Sequence, residues 1–187
     1  MPLNIFTYFD QIHKIKEDAR MALEEIIIEE KFGKNEIIQH PGNRCRTLYF
    51  VTKGIARIYY LKDGNDVTEH FAFGGNIIIR AESLFTEQPT QKGIETLTEL
   101  TAVSISAEKL FDLFDQYHDI ERLFNKIFIR EYVATIKRVE SLQFKSAKER
   151  YTELLQETEL VNQIPLKYIA SYLGITQVSL SRIRASL

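Results

Sequence analysis

The sequence predicts an α+β chain in three parts: an N-terminal antiparallel β barrel or sandwich, a long helix, and a small C-terminal helical domain. Three observations carry this. Between Glu36 and Ile105, short runs rich in Ile, Val, Phe, Tyr and Thr are broken at Pro41-Gly42, Lys53-Gly54, Asp63-Gly64-Asn65, Gly74-Gly75 and Gln88-Pro89. Turn signals about ten residues apart mark an antiparallel all-β unit. From Ala107 to Phe144 there is neither Gly nor Pro. From Ser146 onward apolar residues recur at helical spacing.

Each element follows from local chemistry. Phe6 to Glu30 reads as one or two helices leading into the barrel. Ile55-Ala56-Arg57-Ile58-Tyr59 partly alternates, and Asp63-Gly64 suits a hairpin because both residues tolerate positive φ. Ala107 to Phe114 forms a short helix, a polar break covers Asp115–Asp119, and a long amphipathic run follows. In that run Ile120, Phe124, Ile127, Ala134 and Ser141 recur at spacings of three, four or seven, with Glu131 and Arg138 completing the series. Such a seam predicts a parallel helix pair, and hence a homodimer joined through Ile120, Phe124, Ile127 and Ala134. Ser146-Ala147-Lys148-Glu149 is a capping box that starts a new helix and leaves Lys145–Ser146 as a hinge. The expected domains are therefore 1–114, 115–145 and 146–187.

The 187 residues are 44% hydrophobic and 27% charged, an ordinary globular balance. The first twenty residues lack a basic stretch followed by an apolar run, and no stretch reaches the roughly 20 apolar residues that span a bilayer. A cytoplasmic location is the expectation. The single cysteine, Cys45, excludes an intrachain disulfide and an iron–sulfur cluster needing about four thiolates. The formal charge of −2 is unevenly spread. Leu160 to Leu187 contains Lys167, Arg182 and Arg184 and no Asp or Glu, so a segment of about +3 follows a body of about −5. A basic end on an acidic body gives local attraction to phosphate.

That basic end carries the most informative pattern. Pro165 suits the first turn of a helix whose Ile169, Ala170 and Leu173 share one face. Gly174 permits a sharp turn, and Thr176 caps a second helix whose Leu180 and Ile183 point back at the first. This is the helix-turn-helix pattern, over residues 164–184. It leaves Gln177, Val178, Ser179, Ser181 and Arg182 facing outward. Arg reads guanine bidentately, Gln reads adenine, Val meets a thymine methyl, and Ser hydroxyls suit phosphates. With Lys167, Thr176 and Arg184 these residues form the expected contact surface for double-stranded DNA.

Leu48-Tyr49-Phe50-Val51-Thr52-Lys53-Gly54-Ile55-Ala56-Arg57 resembles the barrel signature of the Crp/Fnr family of transcription regulators. Tyr168-Ile169-Ala170-Ser171-Tyr172-Leu173-Gly174 through Ser181-Arg182-Ile183-Arg184 resembles that family's recognition motif. Phe144 and Arg150 flank the hinge with the family's spacing, and the wording is nearest the Bacteroidetes-type branch. The resemblance covers almost the whole chain. It implies a cyclic-nucleotide-binding-like jelly roll, a dimerisation helix, a winged-helix-like DNA-binding domain, a palindromic operator, and contact with RNA polymerase. It also implies an effector pocket, which falls on Arg80, Glu82, Ser83, Thr90, Gln91 and Thr135. Here the sequence departs from the members that bind cyclic AMP. Counting back from Ile105-Ser106, their Arg-Ser pair falls on Thr90 and Gln91, and their Glu on Arg80. Thr and Gln bring no charge to a buried phosphate, so control by cyclic AMP is not expected. With the sequence ending at Leu187, the wing beyond the recognition helix is expected to be short or missing.

No nucleophile–base pair, phosphate loop or metal spacing is found, so neither an enzyme nor a metal or other cofactor is expected. His13, His40, His70 and His118 sit in no haem-ligand motif. The rival expectation is a ligand-sensing or protein-interaction module with a degenerate DNA-binding domain.

Overall fold

A computed structural model describes residues 4–186. Two short helices, α1 (Ile5–Ile12) and α2 (Glu17–Glu25), precede eight strands. These are β1 (Ile27–Phe32), β2 (Ile37–Gln39), β3 (Thr47–Lys53), β4 (Ala56–Lys62), β5 (Asn65–Ala72), β6 (Ile77–Ile78), β7 (Gly93–Thr96) and β8 (Leu100–Ser106). A helical turn, α3 (Ala81–Thr86), lies between β6 and β7. The strands form two antiparallel sheets, ordered β1-β8-β3-β6 and β2-β7-β4-β5. This is the antiparallel β unit expected from the turn spacing, in the jelly-roll arrangement that the family resemblance implies. The Asp63-Gly64 turn closes β4 onto β5 with Lys62 opposite Asn65, both turn residues having positive φ (52° and 77°).

One boundary differs from expectation. Helical structure stops at Glu25, and the run Ile26-Ile27-Ile28 opens a strand pairing Ile27 with Ile105. Consecutive β-branched residues lose rotamer freedom in a helix and gain a sheet edge here. Gly54 marks the tightest point of the roll. Its φ is +94°, and a Cβ there would lie 2.3 Å from the carbonyl oxygen of Glu99.

Val51, Ala56, Ile58, Ala72, Ile78, Ile94, Leu100 and Ala102 fill the space within the roll. After β8 come α4 (Ala107–Phe114) and the 27-residue α5 (His118–Phe144). The first third of α5 packs with α1, α2 and α4 on the roll. Phe9, Phe50 and Phe124 meet there, with ring centroids 5.3 to 6.2 Å apart. The chain then runs through α6 (Ala147–Glu157), a short 3-10 helix (Glu159–Gln163), α7 (Leu166–Tyr172) and α8 (Gln177–Ala185). The predicted capping box is present: Ser146 accepts from the Glu149 amide while Glu149 accepts from the Ser146 amide.

This packing corrects the expected dimer seam. Ile120, Phe124 and Ile127 are fully buried within their own chain, because the start of α5 closes the helical layer over β3. Ala134 is exposed and faces a cleft described below. The apolar residues of α5 that stay uncovered include Ile129, Tyr132, Ile136 and Val139, flanked by Val133 and Leu142, with Phe144 at the end of the helix. Their spacing of three, four and three is a heptad seam, displaced from the one read in the sequence.

Phe124→Ala is expected to cost about 3–5 kcal/mol of folding stability, measured as a loss of urea midpoint, since it empties the joint between α5 and the roll. An unchanged midpoint would place α5 outside the core.

Candidate DNA-binding interface and interdomain cleft

Residues 164–184 fold as α7, a tight turn and α8. α7 ends at Gly174, whose φ is +69°. The Gly174 amide donates to the Ser171 carbonyl, and the Ile175 amide to that of Ala170. Thr176 then caps α8, accepting from the Ser179 amide at 3.1 Å. Ala170, Leu173 and Leu180 are buried where the helices cross. The opposite face of α8 is open: Gln177, Val178, Ser181, Arg182 and Arg184 are exposed, Val178 at 62%. Ser179 is half-buried, its hydroxyl 3.0 Å from that of Thr176. Lys167 is exposed on α7, its ammonium over the ring of Tyr168. Every expected DNA-contact residue therefore lies on α7, α8 or the turn between them.

The inner side of α7 is docked on the outer face of β4 and β5, which sequence reasoning did not anticipate. Phe71, Phe73, Ile55 and Leu97 of the roll share one apolar cluster with Ile169, Ala170, Leu173 and Leu180. Phe71 meets Tyr172 at 4.9 Å, and the Ser171 hydroxyl accepts from the Thr68 amide at 2.8 Å. Beside them lies Arg57, only 1% exposed. Its guanidinium donates to Asp66, Thr68 and Glu95, and stacks on Tyr168 at 3.6 Å. Burial alone disfavours the Arg57 charge, but its hydrogen bonds to the Asp66 and Glu95 carboxylates and their negative charges outweigh that and raise its pKa. The signal was present in the sequence: a charged residue amid Ile55, Ala56 and Ile58 needs a partner.

A cleft of about 650 Å³ opens where the roll, α5, α6 and α7 meet. Of the residues expected to form an effector pocket, Arg80, Glu82 and Thr135 line it. Ser83, Thr90 and Gln91 do not. Ser83 is committed to the fold, accepting from the Cys45 amide and donating to the Gln88 carbonyl. Thr90 is buried in a loop that pairs with Gly42 and Asn43, and Gln91 is exposed. Ungapped counting from β8 missed this because the segment between α3 and β7 folds as its own loop.

The cleft also gathers residues that the sequence assigned to other roles: Arg138 from α5, Arg150 from α6, and Tyr172. Arg138 stacks on the Tyr172 ring at 3.8 Å and donates to the Tyr172 carbonyl. Arg150 donates to the carbonyls of Lys145 and Leu173, the latter at 2.7 Å. Arg80 pairs with Glu69 at 2.8 Å, and Lys92 reaches the other oxygen of Glu69. Burial raises the pKa of Glu69 less than Lys92 and Arg80 lower it, so it stays ionised. Burial raises the pKa of Glu131. His70 is pushed down to about 4, first by desolvation and then by the charges of Arg138 and Arg80, against the pull of Glu69. Among the described residues no group of three or more His, Cys, Asp or Glu side chains forms a metal site, and no helix is long and apolar enough to cross a membrane.

Residues 29–117 match the family model of the cyclic nucleotide-binding domain. No curated protein matches the chain. Among solved structures, FixK2 from Bradyrhizobium japonicum is 20% identical, covering 87% of this chain and 84% of its own at a TM-score of 0.74. A Eubacterium rectale protein described as a transcriptional regulator of the Crp/Fnr family is 20% identical, with 92% and 83% covered and a TM-score of 0.71. CLP from Xanthomonas campestris, described as a c-di-GMP responsive global regulator, is 17% identical, with 91% of both chains covered and a TM-score of 0.68. The fold of this chain is the Crp/Fnr fold: a cyclic nucleotide-binding-type jelly roll, a long helix and C-terminal helices.

The depressed pKa of His70 gives a pH test. Unfolded His titrates near 6.5 and folded His70 near 4, so between these values the unfolded chain binds more protons. Stability is expected to fall as pH drops from about 6.5 to about 4, and His70→Gln to flatten that part of the denaturant-midpoint profile. An identical slope in the variant would show that His70 is not held neutral.

Proposed function

We propose that this chain is a sequence-specific DNA-binding transcription regulator. It acts as a homodimer on a palindromic operator, in the cytoplasm, without control by cyclic AMP. The observation that carries this is the open face of α8: a capped helix of the right setting presents Gln177, Val178, Ser181 and Arg182, in a segment free of acidic side chains. The domains are read as 1–114 for the roll and its helices, 115–145 for the dimerisation helix and hinge, and 146–187 for DNA binding. The second copy is held along Ile129, Tyr132, Ile136 and Val139, exposed at 61%, 67%, 41% and 45%. A parallel pair of α5 helices sets two recognition helices about 34 Å apart, one turn of DNA. Lys167, Thr176, Ser179 and Arg184 serve phosphates, and Gln177, Val178 and Arg182 serve base edges. RNA polymerase is the natural second partner of such a dimer. An effector is placed in the cleft lined by Arg80, Glu82 and Thr135. Cyclic AMP lacks support there because neither Thr90 nor Gln91 reaches it.

One observation favours the alternative, a ligand-sensing or protein-interaction module with a degenerate DNA-binding domain: α7 is tied to the roll by Arg57 and Ser171. A mobility shift with the gene's own upstream region separates the two. The regulator reading expects a salt-sensitive, sequence-selective complex.

Arg182→Ala is expected to lower discrimination between operator and mismatched DNA by about 1–3 kcal/mol, with a smaller loss on random DNA. Operator binding unchanged by this substitution would refute the docking. Ile136→Glu places a charge in the seam and is expected to shift sedimentation from dimer to monomer at micromolar chain. A dimer that persists would remove α5 from the interface.

A further inference from the structure

The roll carries a second, smaller recess of about 190 Å³, which shares no lining residue with the interdomain cleft. It opens where β2 leads through residues 40–46 into β3, and Gln39, His40, Arg44, Arg46, Thr47 and Tyr49 line it. Here β2 inverts the usual burial order. Ile37 is 39% exposed and Ile38 half-buried, while Gln39 is only 8% exposed. The backbone of Gln39 is paired on β7, opposite Ile94. Its side-chain amide nitrogen is buried with no hydrogen-bond partner among the described residues. Burying a polar group without a partner opposes folding, and nearly all buried polar groups in folded proteins are satisfied. The Gln39 amide calls for an acceptor brought from outside.

The charges around that amide say what the acceptor is. No Asp or Glu lines the recess. Arg44 and Arg46 form no ion pair among the described residues. The carboxylate that reaches the lining is Glu30 of β1, which adds to burial in holding the Tyr49 phenol protonated. Two arginines against one carboxylate leave the recess positive. Their backbone is fixed although their side chains are exposed. The Gly42 amide donates to the Thr90 carbonyl, the Thr90 amide to that of Asn43, and the Cys45 amide to the Ser83 hydroxyl. The Arg46 carbonyl accepts from the Ala107 amide. Arginine hydrogen bonds to an oxyanion are roughly twice as strong as those to a neutral acceptor.

We propose that this recess binds a small oxyanion, a phosphate or a short dicarboxylate, with the Gln39 amide donating from its floor and Arg44 and Arg46 closing over it. The hydroxyls of Thr47 and Tyr49 and a ring N–H of His40 complete the donor set. Pockets for drug-sized ligands hold about 300–1,000 Å³. A recess of about 190 Å³ therefore suits an anion of few atoms and not a nucleotide. An occupant ties β2 to the loop that follows it, and so fastens this end of the roll. The site lies wholly within the roll, and the inference is independent of the DNA-binding reading.

The test titrates the full chain calorimetrically with inorganic phosphate and with malonate, each against chloride at equal ionic strength. Saturable binding of at least one is expected. The tighter of the two identifies the source, and equal affinity marks a general oxyanion site. Gln39→Leu keeps the side-chain volume and removes the amide. It is expected to weaken binding about tenfold and to leave the urea midpoint of the free chain unchanged or higher. Arg44→Gln combined with Arg46→Gln should weaken binding further, and Glu30→Gln should strengthen it. Arg150→Lys, in the interdomain cleft, should change nothing. Absence of saturable binding overturns the site, as does binding lost in Arg150→Lys. Binding that survives Gln39→Leu but not the arginine substitutions is attraction to a basic surface, and overturns the recess. A lowered midpoint in Gln39→Leu gives the amide a structural role and overturns it too. No readout involves DNA, so failure here leaves the regulator reading standing, and a failed mobility shift leaves the recess.

Discussion

The setting of α7 and α8 on the roll depends on one buried cation. Arg57 lies on the outer face of the β4–β5 sheet, a place where arginine is normally hydrated, and it is buried because α7 covers it. The sheet prepares it for this. Asp66 and Glu95 come from the strands on either side of β4, and Thr68 supplies a further acceptor, so the guanidinium is neutralised before Tyr168 lies down on it. An ion buried without such partners would oppose docking, since desolvation outweighs unassisted attraction. The apolar cluster around Phe71 and Tyr172 supplies adhesion, and Arg57 supplies registry.

The second organising element is α5, which presents three different surfaces along and around its length. Its first third is core, shut in by Phe9, Phe50 and Leu110. Beyond residue 128, one side carries the apolar seam and another carries Glu131, Ala134, Thr135, Arg138 and Ser141 toward the cleft. The same rigid rod thus touches the roll, carries the exposed apolar seam and reaches the hinge. A side chain in the cleft can bias the hinge because Arg138 and Arg150 hold the carbonyl ends of α7 directly, with no intervening layer.

The parts legible in the sequence were those fixed by local rules. Turn chemistry at Asp63-Gly64, the capping box at Ser146, the cap at Thr176 and the glycine at 174 each stand where local physics requires, and all four reappear in the structure. What was not legible depended on phase or on distant partners. A heptad pattern reports that a helix has an apolar side but not what covers it. Ile120, Phe124 and Ile127 satisfy a seam and a core equally well, and only the neighbouring Phe50 and Phe9 decide between them. The pocket failed for another reason. Counting residues back from β8 assumes a loop of fixed length, whereas Thr90 and Gln91 belong to a loop that closes on Gly42. Arg138 was read into the seam and Arg150 into the hinge, and they share one cleft only because the chain turns at Lys145.

The length of α5 also constrains how this protein can change. Each residue added to a helix turns everything beyond it by about 100° and lifts it about 1.5 Å. A single insertion after Ile127 would rotate Ile129, Tyr132, Ile136 and Val139 away from their present azimuth, and would swing Arg138 out of the cleft with them. Only insertions near a whole number of turns, about seven residues, restore the angle, and those would carry the hinge about 10 Å along the axis. The segment beyond residue 128 is thus constrained in length as well as in the identity of its seam and cleft residues. In such a chain, point substitutions alter one surface at a time, and a change of helix length sets a new geometry altogether.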